Sequence, residues 1–156
     1  MSYRISGLPL ADFEPLFELD DEALKARNVL RMTADEKPGF PCRVTLEDAE
    51  PGETLLLLNY EHQAAATPYR SNHAIFVREA AKAEAVFENE VPPLLSGRLL
   101  SVRAFDAEGM MVDADCIEGS ALEPVIERLL GEPRTAYLHV HNAKRGCFAA
   151  RVDRSS

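Results

Sequence analysis

From Arg98 onward the sequence alternates with a period of two, breaks into one helix, and alternates again, an order that restricts the chain to sheet-based folds with helical cover. Leu100, Val102 and Ala104 alternate with Ser101, Arg103 and Phe105; Asp106-Ala107-Glu108-Gly109 turns the chain; Met110, Val112, Ala114 and Cys116 then alternate with Met111, Asp113 and Asp115. Gly109 suits the left-handed position of a short hairpin loop. With residues 107–109 as that loop, Arg103 faces Asp113 as a surface ion pair. Ser120 and Glu123 form a capping box with Pro124 in the first turn. Leu122, Val125, Ile126, Leu129 and Leu130 then recur at helical spacing as one buried stripe, which Gly131 and Pro133 end. A second hairpin follows: residues 135–142, a turn through Lys144-Arg145-Gly146, and residues 147–153.

The first forty residues read as mostly helical. Asp12 caps a short turn that faces Phe13, Leu16 and Phe17 inward, and Asp20-Asp21-Glu22 opens a second helix running to about Arg27. Lys37-Pro38-Gly39-Phe40-Pro41 is a turn or extended lead-in. Cys42, Val44 and Leu46 alternate with Arg43, Thr45 and Glu47 as a half-buried strand. After a turn at Glu50-Pro51-Gly52-Glu53, residues 54–60 form a strand short and apolar enough to be buried on both faces. Residues 61–72 are a loop, 73–77 a short strand, and the Ala- and Glu-rich 79–88 a helix, with Pro92-Pro93 ending regular structure. The expected fold is α+β: a mainly antiparallel sheet of about six or seven strands, N-terminal helices, and one helix between two C-terminal hairpins, as a single domain over 1–156.

Composition narrows the function classes. At 156 residues and 46% hydrophobic the chain can build a core, yet no apolar run approaches the roughly 18–20 residues that span a bilayer. The start, Met1-Ser2-Tyr3-Arg4-Ile5, lacks the layout of a signal peptide, and Cys42, Cys116 and Cys147 are an odd number without a CxxC pair. Both point to reduced thiols in the cytoplasm. A net charge of −9 argues against nucleic acid or an anionic membrane as partner. The charge is uneven: residues 134–156 hold Arg134, Lys144, Arg145, Arg151 and Arg154 against Asp153, a net +4, leaving −13 on the rest.

The last hairpin carries the sharpest chemical inference. Leu138 and Val140 face one way, Tyr137, His139 and His141 the other; in the return strand Phe148, Ala150 and Val152 form the apolar set, Cys147, Ala149 and Arg151 the opposite one. Matching the apolar faces sets His141 across from Cys147, or diagonal to it if a bulge intervenes. Three readings compete for that pair. As catalytic residues, Cys147 is a nucleophile and His141 its base, as in Cys-His hydrolases. As metal ligands, His139 and His141 face one ion that Cys147 or Cys42 completes; no carboxylate follows at a cupin-type spacing, and no metal is assigned. As packing, both are half-buried core residues.

Around that pair, Arg43 can grip a carboxylate or phosphate, and Tyr69-Arg70-Ser71-Asn72-His73 is a polar loop entering a strand. His62 is expected to be solvated. Gathering cationic and thiol groups in an acidic chain favours a small-molecule, anionic-ligand binding protein whose site includes Arg43, Tyr69, Arg70, Asn142 and Arg151 beside His141 and Cys147. No cofactor is implied. The competing reading is a non-catalytic homodimer joined through a strand edge or apolar face.

Three motifs in order, Pro38-Gly39-Phe40-Pro41-Cys42-Arg43, then Thr67-Pro68-Tyr69-Arg70 followed by Ile75-Phe76-Val77, then His139-Val140-His141-Asn142-Ala143 with Gly146-Cys147, resemble an uncharacterised bacterial family known only as a domain of unknown function, number 1203. The similarity spans nearly the whole chain and departs from the family pattern at Asn72-His73-Ala74. It implies a cytoplasmic, single-domain protein and supplies no activity, cofactor or substrate.

Overall fold

The computed structural model describes residues 2–155. Nine strands form two antiparallel sheets. The larger contains β1 (Tyr3–Ser6), β5 (Val86–Glu88), β6 (Leu99–Phe105), β7 (Met111–Glu118), β8 (Tyr137–Asn142) and β9 (Phe148–Arg154), in the order β5-β1-β9-β8-β6-β7. The smaller is β2 (Leu30–Thr33), β3 (Thr54–Gln63) and β4 (Ser71–Arg78) in chain order. The α+β class with a mainly sheet core stands as read from the sequence.

One face of the larger sheet carries the principal core. Helix α4 (Leu122–Leu130) lays Leu122, Val125, Ile126, Leu129 and Leu130 over Leu100, Val102, Leu138, Val140 and Val152. Each such side chain contributes about 1.5–3 kcal/mol by leaving water. Tyr3 Oη donates to Glu123 at 2.5 Å, tying the N-terminal strand to this helix, and burial and that carboxylate together push the phenol's pKa well up. The capping box does not form: residues 119–121 make a 3-10 turn ahead of α4, which has no side-chain cap.

Several local expectations give way to long-range pairing. The N-terminal forty residues contain α1 (Glu14–Phe17) and α2 (Asp21–Lys25), the latter capped by Asp20 as expected, but also β1 and β2. Asp12 caps nothing; Phe13 is the N-cap of α1. Residues 42–47 are a tight turn, closed by Leu46 N on Cys42 O at 3.0 Å, with Leu46 at φ 53°. Their alternation misled because Arg43, the supposed solvent-facing partner, is itself buried at 2% exposure. Residues 79–85 are turns and 86–88 an edge strand paired to β1, so sheet hydrogen bonds override the Ala/Glu helix preference. Pro93 starts a short helix, α3 (Pro93–Ser96), where its missing N–H costs nothing.

Two bulges in the larger sheet reset side-chain faces that matter for function. In β6–β7 the loop is 107–109 with Gly109 at φ 87°, as expected, but a register shift between Ala104 and Phe105 pairs Arg103 with Ala114. Arg103 therefore loses Asp113, which lies 3.8 Å from Arg128 instead. In β8–β9 a shift between Val140 and His141 sets Phe148 opposite His141 and leaves Cys147 opposite Asn142. The turn uses residues 143–146, one longer than the alternatives read from the sequence.

Candidate functional site

Parity along β8 sends Tyr137, His139 and His141 to the sheet face opposite α4. Register adds Ser101, Arg103 and Phe105 from β6 and Arg151 from β9. The bulge in β9 turns Phe148 onto this same face, where its ring lies 5.1 Å from His139 and 5.8 Å from His141. The far end of the β3–β4 hairpin covers it. A register shift after Tyr60 brings His62 over Phe148 (centroids 5.1 Å, interplanar 10°) and beside His73 of β4. Gln63 Nε2 donates to Tyr137 Oη at 2.9 Å and Thr67 Oγ1 to the Gly109 carbonyl at 3.2 Å, holding the hairpin down.

All four histidines of the chain converge here. His62 Nε2 and His73 Nδ1 are 2.7 Å apart, and His141 Nδ1 is 2.9 Å from the Gly146 carbonyl. A carbonyl only accepts, so His141 carries its proton on Nδ1 and presents Nε2 as a bare lone pair. That Nε2 is buried without a partner among the described residues, as are His62 Nδ1 and His139 Nδ1. Burial lowers His62 to about 4 and His139 and His141 to about 3, reinforced by neighbouring imidazoles and Arg103. His73 moves in the same direction for the same cause. The rings are neutral at physiological pH. Arg103 borders them half-buried, and its one hydrogen bond among the described residues, to Ser101 Oγ at 3.3 Å, brings no negative charge.

Next to this cluster lies a cleft of about 990 Å³ whose wall includes His73. Phe40 and Phe76 (centroids 5.1 Å) and Leu57 supply an apolar side; Arg43, Arg98, Lys144 and Arg145 supply four cations against one carboxylate, Glu36. Arg98 is neutralised by Asp48 at 3.1 Å. Among the described residues no acid neutralises Arg43: it donates to Phe148 O at 2.7 Å, Pro41 O at 2.5 Å and Cys147 Sγ at 3.1 Å. Burial pulls its pKa down from the ordinary guanidinium value, and charge on Cys147 acts in the opposite direction. Asn142 Nδ2 lies 3.5 Å from the same sulfur, while its Oδ1 is buried without a partner among the described residues. A second cleft of about 640 Å³, bordered by Lys37, Glu47, Asp48 and Leu94, offers neither thiol nor imidazole.

Of the residues read from the sequence, the structure brings together Arg43, Asn142 and Cys147. Tyr69 sits edge-on to Phe105 at 6.4 Å, Arg70 is spent on a two-point pair with exposed Glu61, and Arg151 lies 4.2 Å over the Tyr137 ring while pairing with Asp153. None of these three borders the cleft. Cys147 and His141 are not partners: the extra residue at the bulge gives the sulfur to Arg43 and Asn142, and the imidazole to Gly146 and the other histidines. Cys42, the other thiol considered for a metal, is buried and accepts the Val44, Thr45 and Arg78 amides at 3.3–3.5 Å. Reading the sequence missed His62, His73 and Arg98. The available signal was that both histidines flank one hairpin, but the bulge that aligns them leaves no mark in the alternation.

Residues 39–154 match the family model described as "Protein of unknown function (DUF1203)", and the chain belongs to that family. The match covers all of the cleft-lining residues named above except Glu36, and all four histidines. No curated protein and no solved structure matches the chain. Among the described residues, no helix is long and apolar enough to cross a membrane.

Proposed function

We propose that the protein binds a small organic anion in the cleft between the β3–β4 sheet and the β8–β9 turn. The observation that carries this reading is Arg43: a guanidinium 2% exposed whose partners are two carbonyls and a thiol, none of them a carboxylate. An uncompensated buried cation costs several kcal/mol, and a bound anion offsets that cost. Lys144 and Arg145 add positive potential at the same cleft of a chain with net charge −9, which concentrates anions locally. The Phe40–Phe76 pair favours a ligand with an apolar body behind its carboxylate or phosphate, and Asn142 Oδ1 favours one that also carries a donor. The three free thiols support placing this protein in the cytoplasm.

Alkylation tests this with an internal control. Cys147 borders the cleft, Cys116 is exposed on β7, and Cys42 is buried. Phenyl phosphate or benzoate is expected to slow carbamidomethylation of Cys147 several-fold, measured by peptide mass spectrometry, while Cys116 reacts at an unchanged rate. Benzamide, the uncharged analogue, is expected to protect far less. Equal rates at Cys147 with and without the anions contradict the reading.

A further inference from the structure

We infer that His62, His73 and His141 form a binding site for one divalent transition ion of the zinc class. One ring nitrogen from each of the three lies within 4.8 Å of the other two. A tetrahedral ion with metal–nitrogen bonds of about 2.1 Å sets its ligand nitrogens about 3.4 Å apart. A modest rearrangement of the three side chains then suffices: a separation of up to 4.8 Å closes by up to about 1.4 Å, and the His62 Nε2–His73 Nδ1 contact opens from 2.7 Å.

The alternative is a closed network of imidazole hydrogen bonds, and the geometry is poor for that. His62 and His73 share one hydrogen bond, whereas the buried Nε2 of His141 has no donor among the described residues. The Gly146 carbonyl fixes the tautomer of His141 that aims a lone pair inward, as a carbonyl on the far ring nitrogen orients metal-bound histidines. Phe148 stacks on His62 and stands edge-on to His141, restraining both rings. Burial keeps the imidazoles unprotonated, so no proton competes for these lone pairs near neutrality.

Three neutral nitrogen ligands without a carboxylate or thiolate suit zinc, cobalt, nickel or copper and exclude a magnesium or calcium preference. Arg103, Arg151, Tyr137 and His139 are other titratable or charged groups facing the cluster, and neither arginine can donate a lone pair. The fourth position is left to water or an anion. His73 also borders the cleft, so that species comes from the cleft side. The ion site rests on the histidines alone and stands whether or not the cleft takes an organic anion.

Cobalt is the probe. Chelator-treated protein titrated with Co²⁺ is expected to develop the intense visible bands of tetrahedral cobalt, saturating at one ion per chain. Proton spectra are expected to show hyperfine-shifted imidazole signals from three histidines. Zn²⁺ is expected to displace the cobalt. In His73→Ala, chosen because this half-buried side chain tolerates removal better than fully buried His141, affinity is expected to fall at least about 100-fold, more than the roughly 10- to 100-fold lost when only a ligand's hydrogen-bond partner is removed. Cys116→Ser, which removes an exposed thiol, is expected to leave it unchanged. Absence of tetrahedral bands in the wild type, octahedral spectra only, or His73→Ala binding as tightly as wild type each overturns the assignment. The wild-type spectra decide the matter even if a variant fails to fold.

Discussion

Acidification below about pH 6.5 is expected to destabilise the metal-free protein by roughly 4 kcal/mol per pH unit over the first two units. The cause is the group of histidines that the fold holds neutral. In the folded state His62 sits at about 4 and His139 and His141 at about 3, against about 6.5 in an unfolded chain. Between those limits the unfolded state binds more protons, so stability increases with pH, is complete above about 6.5, and is lost as pH falls toward the folded values. Each histidine contributes about 1.4 kcal/mol per pH unit in this window. His73, Arg103 and Arg151 face the same cluster and oppose its protonation, and Arg151 pairs with Asp153. Against a typical domain stability of about 5–15 kcal/mol, the acid transition falls between about pH 3 and 5. Urea titrations at several pH values measure the slope, and His139→Phe is expected to lower it by about a third. A stability that is flat from about pH 7.5 to 5 contradicts the neutral, buried cluster.

Gly7→Ala is expected to lower stability by about 2–4 kcal/mol, since overpacking and lost hydrogen bonds act together. A Cβ on Gly7 meets Val44 O at 2.0 Å, Val44 C at 2.8 Å and Arg43 O at 3.1 Å, all backbone atoms with no rotamer to yield. The same place is stitched by Gly7 N to Ala85 O, Leu8 N to Arg43 O and Ala85 N to Val44 O at 2.8–2.9 Å. Room for a methyl group requires the residues 43–44 to move, and they carry Arg43 to the cleft. A melting temperature about 4–16 °C below wild type is expected, at about 2–4 °C per kcal/mol. Weaker protection of Cys147 by phenyl phosphate is expected alongside it. An unchanged melting temperature contradicts this packing.

The elements with strong local signals were legible. The β6–β7 hairpin, its glycine turn, the α4 stripe and the β8–β9 hairpin were all read from periodicity, and all five α4 stripe residues are buried. What failed was decided at a distance. β1 is four residues long and exists because β5 and β9 pair on either side of it, a partnership no local window contains. The site suffered from one-residue effects. Single bulges in β7 and β9 moved Arg103 from Asp113 and exchanged Phe148 for Cys147 beside His141. Because strand faces alternate residue by residue, one inserted position reverses the conclusion about which groups meet. Arg43 was read as a strand residue and lies instead buried in a turn, a placement that alternation alone does not reveal.

Calorimetric titration of the wild type and Arg43→Met with phenyl phosphate tests the central claim most directly. The account predicts one site in the wild type, weakened at least about tenfold in the variant, since losing a charge-assisted contact worth about 1.5–3 kcal/mol costs that or more. Circular dichroism is expected to show Arg43→Met folded, because an apolar side chain of similar length fills the same space. Equal affinity in the two folded proteins, or no heat of binding in the wild type, contradicts it.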